Sequence, residues 1–182
     1  AGSTGTNPTY GINTSNYSTT SLGTGAYSSL NNTFENNLIT RVWHGIWASG
    51  ASSTYPNTGL VIRNNILGEN TTANNIGGRG IFVSYTSTGS TQTPALIYGN
   101  DIQVGSADVS TSGYSASIAG IEIGTSAFGT RVYQNNIHDI FQPSTSGYGA
   151  YGIYITGSTN TSDLRFYNNF IRDMVASRYT AS

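Results

Sequence analysis

Eight carboxylates are the residues of this chain best suited to chemistry: Glu35, Glu69, Asp101, Asp108, Glu122, Asp139, Asp163 and Asp173. Hydrolysis of a glycosidic bond needs two of them about 5 to 10 Å apart, one to protonate the leaving group and one to attack or to activate water. The two histidines sit in the dipeptides His44-Gly45 and His138-Asp139. Cysteine is absent, so thiolate metal sites and disulfides are excluded, and no Asp/Glu cluster offers the oxygen ligands of a hard cation. No metal and no cofactor are expected. Whether any two carboxylates face each other depends on the elements that carry them.

Those elements repeat. The phrase aliphatic-x-[Ile/Tyr/Phe]-x-Asn-[Asn/Asp]-x-hydrophobic is clearest at 60–66, 96–102 and 131–137, and weaker copies stand at 34–38 and 164–170. With the first Asn as marker the copies start at Asn36, Asn64, Asn100, Asn135 and Asn168, giving intervals of 28, 36, 35 and 33 residues. A motif that holds while its period drifts indicates stacked coils with loops of variable length.

Apolar residues at alternate positions within each phrase have the period of a strand with one buried face. Stacking the copies predicts an inward column Phe34, Ile62, Tyr98, Tyr133, Phe166 and a second, Leu38, Ile66, Ile102, Ile137, Phe170. Between them the marker asparagines would form a buried hydrogen-bonded ladder, because identical side chains about 4.8 Å apart can satisfy one another. A second strand starts at Gly11-Ile12, Gly45-Ile46, Gly80-Ile81, Gly120-Ile121 and Gly152-Ile153. Its inward columns are Ile12, Ile46, Ile81, Ile121, Ile153 and Thr14, Ala48, Val83, Ile123, Ile155. No capped helical period competes.

The paired Asn-Asn and Gly-Ile phrases over residues 9 to 175 resemble the right-handed parallel β-helix proteins, the superfamily of pectate-lyase-like enzymes and many secreted or surface-attached bacterial proteins. The resemblance implies an all-β, right-handed solenoid of about five coils with three sheets per coil. Its lyases use Lys or Arg bases beside acidic calcium ligands, and its polygalacturonase-type hydrolases carry paired aspartates and a Gly-His-Gly phrase. This chain has no Lys, and His44-Gly45 falls short of that phrase. In the repeat frame Asp101 takes a ladder position between Asn65 and Asn136. Glu122 projects outward between Phe82 and Tyr154, without a carboxylate partner, and His138-Asp139 falls in a solvated turn. No catalytic residue is assigned.

The outward column beside the Gly-Ile strand reads Asn13, Trp47, Phe82, Glu122, Tyr154. Trp47, Phe82 and Tyr154 could stack on sugar rings, bury against a neighbouring fibre, or lie under a loop. Asn-x-Ser/Thr acceptors for N-glycosylation occur at Asn13, Asn16, Asn31, Asn70 and Asn160, a number that chance accounts for at this composition.

Composition narrows the class of partner. Only 8% of the 182 residues are charged and the net charge is -1, so the basic patch of a nucleic-acid binder is missing. The surface must be built from Ser, Thr, Asn and Gly, and no apolar run is long enough to span a bilayer. The chain reads as one β-helix segment over 1–182, with an irregular first coil over 1–33 and an open last coil over 164–182. Neither end resembles a cap, which a solenoid normally needs. Joining one copy's end to another's start would give an Asn-to-Gly interval of 25 residues, against 9, 16, 20 and 17 within the chain. The expectation is an extracellular or cell-surface rod, a segment of a surface protein or appendage serving extension, adhesion or matrix formation, that continues in a longer chain or stacks end to end. The alternatives are a glycan-binding module or a non-catalytic part of a polysaccharide lyase or hydrolase.

Overall fold

The computed structural model describes residues 9–14, 28–69, 71, 74–105, 117–143, 148–159 and 161–176. They form an all-β parallel solenoid without an α-helix. The Gly-Ile segments make the first sheet: β1 (Tyr10–Asn13), β5 (His44–Ser49), β9 (Arg79–Ser84), β12 (Ile118–Ile123) and β16 (Ala150–Ile155). The strands before each Asn phrase make the second: β3 (Thr33–Glu35), β7 (Val61–Arg63), β10 (Leu96–Tyr98), β13 (Arg131–Tyr133) and β17 (Arg165–Tyr167). Those after it make the third: β4 (Leu38–Ile39), β8 (Ile66–Leu67), β11 (Asp101–Gln103), β14 (Asn136–His138) and β18 (Phe170–Ile171). Two short parallel pairs flank them, β2 (Ser29–Leu30) with β6 (Asn57–Thr58) and β15 (Ile140–Gln142) with β19 (Met174–Ala176). The chain makes four full turns from β1 to β16 and adds a fifth strand to each of the other two main sheets.

The first-sheet register matches the expectation from the Gly-Ile phrases: Ile12 pairs with Ile46, Ile46 with Ile81, Ile81 with Ile121 and Ile121 with Ile153. Ile46, Ile81 and Ile121 are fully buried. Burial of each such side chain stabilises the coil by about 1.5 to 3 kcal/mol relative to exposure.

The other two sheets differ from expectation by one residue. The inward column of the second sheet is Phe34, Ile62, Ile97, Val132, Phe166, so Tyr98 and Tyr133 point outward. That of the third is Ile39, Leu67, Ile102, Ile137, Ile171, which leaves Leu38, Ile66 and Phe170 exposed. The cause lies at the corner between the sheets. Asn36, Asn64, Gly99, Gln134 and Asn168 occupy equivalent places and all have positive φ, between 54° and 65°. Asn and Gly enter this left-handed region most readily. In three coils the Asn doublet therefore begins at the corner, and in the other two it begins one residue later.

The glycine of each Gly-Ile phrase has a steric reason. A Cβ on Gly45 would lie 2.5 Å from the Gly80 carbonyl oxygen, and one on Gly80 would lie 2.5 Å from that of Gly120 while striking the Ile102 methyl. The first sheet can pass this close to the third only where no side chain intervenes. Gly80→Ala is expected to lower stability by about 1 to 3 kcal/mol through overpacking, read as a shift in the denaturant midpoint; an unchanged midpoint would contradict the close approach.

Candidate functional site

The best-organised polar array is internal. The side-chain amide of Asn37 donates to Asn65 Oδ1 at 2.9 Å, Asn65 to Asn100 at 2.9 Å, Asn100 to Asn135 at 2.9 Å and Asn135 to Asn169 at 3.0 Å. Each acceptor oxygen also takes the backbone N–H of the preceding asparagine at 3.1 Å. From Asn65 onward the remaining amide hydrogen goes back to a main-chain carbonyl one coil earlier, as from Asn100 to Ile62 at 3.0 Å, whereas that of Asn37 goes to the Glu35 carbonyl in its own coil at 3.1 Å. Asn65, Asn100 and Asn135 are buried, and these bonds offset the cost of burying them. Asn100 and Asn135 therefore lie in the ladder, whereas Asn36, Asn64 and Asn168 are exposed corner residues whose places are taken by Asn37, Asn65 and Asn169.

The outward column runs in the expected register, Asn13, Trp47, Phe82, Glu122, Tyr154. Its aromatics do not form one platform. Trp47 stacks on Phe82 with ring centres 4.0 Å apart, and the Arg79 guanidinium lies 5.9 Å from the Trp47 ring centre. Tyr154 stacks instead on Tyr151, at 4.3 Å. Between the two stacks sits Glu122, buried to 4% exposure, ion-paired with Arg79 and accepting from the Thr156 hydroxyl at 2.9 Å. Trp47, Phe82 and Tyr154 are all half-buried. Trp47 and Phe82 each have one face taken by the other, and Tyr154 has one face taken by Tyr151, which lies outside the column.

A second outward column was hidden by the one-residue slip. Tyr98, Tyr133 and Tyr167 stack in parallel at 4.8 and 4.9 Å. Arg63 continues the row, donating to the Tyr98 hydroxyl at 2.9 Å and pairing with Glu35 at 2.5 Å. Those two contacts raise the Arg63 pKa, the hydrogen bond to Tyr98 first. Desolvation raises that of Tyr133, with Tyr98 and Tyr167 adding to it. Gly99, aligned with the corner asparagines, is the signal that would have turned Tyr98 outward.

His138 is not in a solvated turn. It is buried, with Nε2 2.8 Å from Asp101 Oδ1 and Nδ1 2.7 Å from Asp139 Oδ2. Carboxylates only accept, so both contacts are hydrogen bonds at once when both ring nitrogens carry hydrogen. Asp101 pairs along the third sheet with Ile66 and Asn136, not Asn65, and also accepts from Asn136 Nδ2 at 2.9 Å. Beside this cluster lies a groove of about 460 Å³ lined by Asn75, Gln103, Gly105, Asp139, Phe141, Asp173 and Val175.

Every described carboxylate is engaged. Beyond those already placed, Glu69 accepts from Asn74 at 2.8 Å, Asp163 pairs with Arg165 at 3.1 Å and Asp173 pairs with Arg172. Among the described residues no group of three His, Cys, Asp or Glu is placed to hold a metal ion. No described helix is long and apolar enough to cross a membrane. Asp108 and the glycosylation acceptors Asn16, Asn70 and Asn160 lie outside the described residues, whereas Asn13 and Asn31 are exposed. No protein-family model, curated protein or solved structure matches the chain.

His44, on β5, is walled in by Tyr10, Trp43 and Trp47, with ring centres 5.3, 6.4 and 4.8 Å away. Its Nδ1 is buried without a hydrogen-bond partner. Burial, reinforced by the nearby Arg79 charge, pushes its pKa from 6.5 down to about 3. The native ring thus stays neutral where the unfolded one binds a proton, so stability is lost as pH falls from 6.5 towards 3. The limiting slope is about 1.4 kcal/mol per pH unit. Denaturant titrations should show His44→Phe losing less stability than wild type between pH 7 and 4.5; parallel curves would contradict a buried neutral ring. Asn100→Leu strands ladder partners on both sides and is expected to cost about 1 to 3 kcal/mol, whereas Asn64→Gly at the exposed corner should stay within about 0.5 kcal/mol. Equal effects from the two would contradict the ladder as placed here.

Proposed function

We propose that this chain is a structural rod segment of an extracellular or cell-surface assembly, whose work is extension and scaffolding. One observation carries this reading: the order is axial, repeated from coil to coil inside and outside the solenoid. The asparagine ladder occupies the core and the tyrosine stack lies outside, each bond running along the axis. A catalytic surface would need groups converging on a point in solvent, with capacity left for substrate. Here each described carboxylate already has a protein partner, and the Asp101–His138–Asp139 cluster, whose Asp139 lines the groove together with Asp173, is the one place where such groups gather. Glu122, the one acid on the outward column of the first sheet, is neutralised by Arg79.

The composition, sparsely charged and rich in Ser and Thr, and the lack of cysteine accord with an exterior setting. So does the resemblance to pectate-lyase-like β-helices, many of which are secreted. Two measurements on the source organism's material and the purified chain test the reading. Antibodies to the chain should label intact cells or extracellular fibres, and the protein should release no new reducing or unsaturated ends from plant, algal or bacterial polysaccharides. Labelling only after permeabilisation, or sustained polysaccharide turnover, would overturn it.

A further inference from the structure

The first and last coils of the described residues present chemically different faces, and the difference is complementary. The ladder has a direction: each asparagine sends its backbone N–H and one amide hydrogen to the Oδ1 of the next coil. Asn169 receives such a pair from Asn135, and its Nδ2 reaches back to Val132. Its own N–H and second amide hydrogen have no following rung among the described residues. At the opposite end Asn37 donates onward to Asn65, and among the described residues no earlier rung feeds its Oδ1. One face thus offers two donors where the other offers the matching acceptor.

The apolar surface is divided in the same way. Phe166, Phe170 and Ile171, on the last strands of the second and third sheets, are 39%, 62% and 44% exposed. Phe166 and Ile171 belong to columns that are fully buried in the middle coils, at Ile62, Ile97 and Val132 and at Leu67, Ile102 and Ile137. At the other face the same columns end in Phe34 and Ile39, and Leu38, 63% exposed, shares the register of Phe170. Continuing the register across a junction would set Phe166 on Phe34, Ile171 on Ile39 and Phe170 on Leu38. It would also bring Tyr167 beside Glu35, a hydroxyl donor beside a carboxylate. No like charges meet in these columns. The strands match in length, three residues on each side in the second sheet and two on each side in the third.

We propose that the β16–β19 face of one copy docks on the β1–β4 face of a second copy, so that the three main sheets and the asparagine ladder run through the junction unbroken. The inference rests on the rod reading above and names its partner. Such a contact is heterologous and translates along the solenoid axis, so it does not close and builds a filament. Unpaired strand edges supply the backbone bonds at each junction. Five strands per main sheet at about 4.8 Å spacing set an axial repeat of about 24 Å per copy.

Sedimentation velocity and negative-stain microscopy of the 182-residue chain over a concentration series test this. Wild type should form rods that lengthen with concentration and carry the 24 Å repeat. Phe170→Lys and Leu38→Glu change exposed side chains on opposite faces. Each alone should weaken association at least about ten-fold with an unchanged melting profile, and an equimolar mixture should restore rods, because the new ammonium of one variant meets the new carboxylate of the other. Monomers at every concentration would overturn the proposal and assign the face to other occupants, leaving the rod reading to its own tests. Association that neither variant weakens, or variants that do not complement each other, would overturn it in favour of lateral contacts.

Discussion

The constraint on which the rest of this structure depends is that a buried amide must find its partners one coil away. A parallel solenoid places equivalent residues about 4.8 Å apart along its axis. At that distance a carboxamide can donate to its own kind above, accept from its own kind below, and reach a main-chain carbonyl as well. Asn65, Asn100 and Asn135 do all three while almost fully buried. Shortening the side chain or moving it one residue along would strand polar groups in the core. The ladder therefore fixes the register of the second and third sheets more tightly than their short strands could, since apolar columns alone tolerate exchange among Ile, Leu and Val.

That same constraint explains what could be read from the residues and what could not. The Gly-Ile strands were legible because their pattern has a single alignment: the glycine is required by the neighbouring carbonyl and the isoleucine by the core. The Asn phrases were ambiguous because asparagine serves two purposes in adjacent places, turning the corner with positive φ and bonding along the axis. Where both places hold Asn, at 36–37, 64–65 and 168–169, the doublet gives no sign of which is which. Where the corner is Gly99 or Gln134, the doublet shifts by one residue and takes the apparent columns with it. The invariant spacing was instead from the ladder asparagine to the aliphatic residue two places later, at Ile39, Leu67, Ile102, Ile137 and Ile171. On that marker the ladder intervals become 28, 35, 35 and 34 residues, more regular than the doublets suggest.

The slip also redistributed the aromatics. Tyr98 and Tyr133, assigned inward by alternation from the doublet, form with Tyr167 an external stack whose rings lie nearly parallel. Alternation alone could not have revealed the partners of His138 or Glu122, because both involve residues from a different coil. Asp101 precedes His138 by 37 residues and Arg79 precedes Glu122 by 43. A solenoid brings such pairs together only once its register is known. A one-residue error there separates a buried charge from the group that neutralises it.

The axial arrangement bears on function through the direction in which the bonds are used up. In this solenoid the ladder and the Arg79–Glu122 bridge make polar bonds between successive coils, and the tyrosine stack and the Trp47–Phe82 pair add ring contacts in the same direction. The ladder asparagines of the middle coils are fully partnered, and among the described residues the rungs that lack a neighbour on one side are Asn169 and Asn37. Because each coil's stability comes chiefly from its nearest neighbours, the first and last described coils each have one described neighbour to draw on. Whatever occupies a terminal face therefore contributes there what every interior coil already receives, and the direction of the asparagine bonds makes the two faces donor and acceptor of the same interaction.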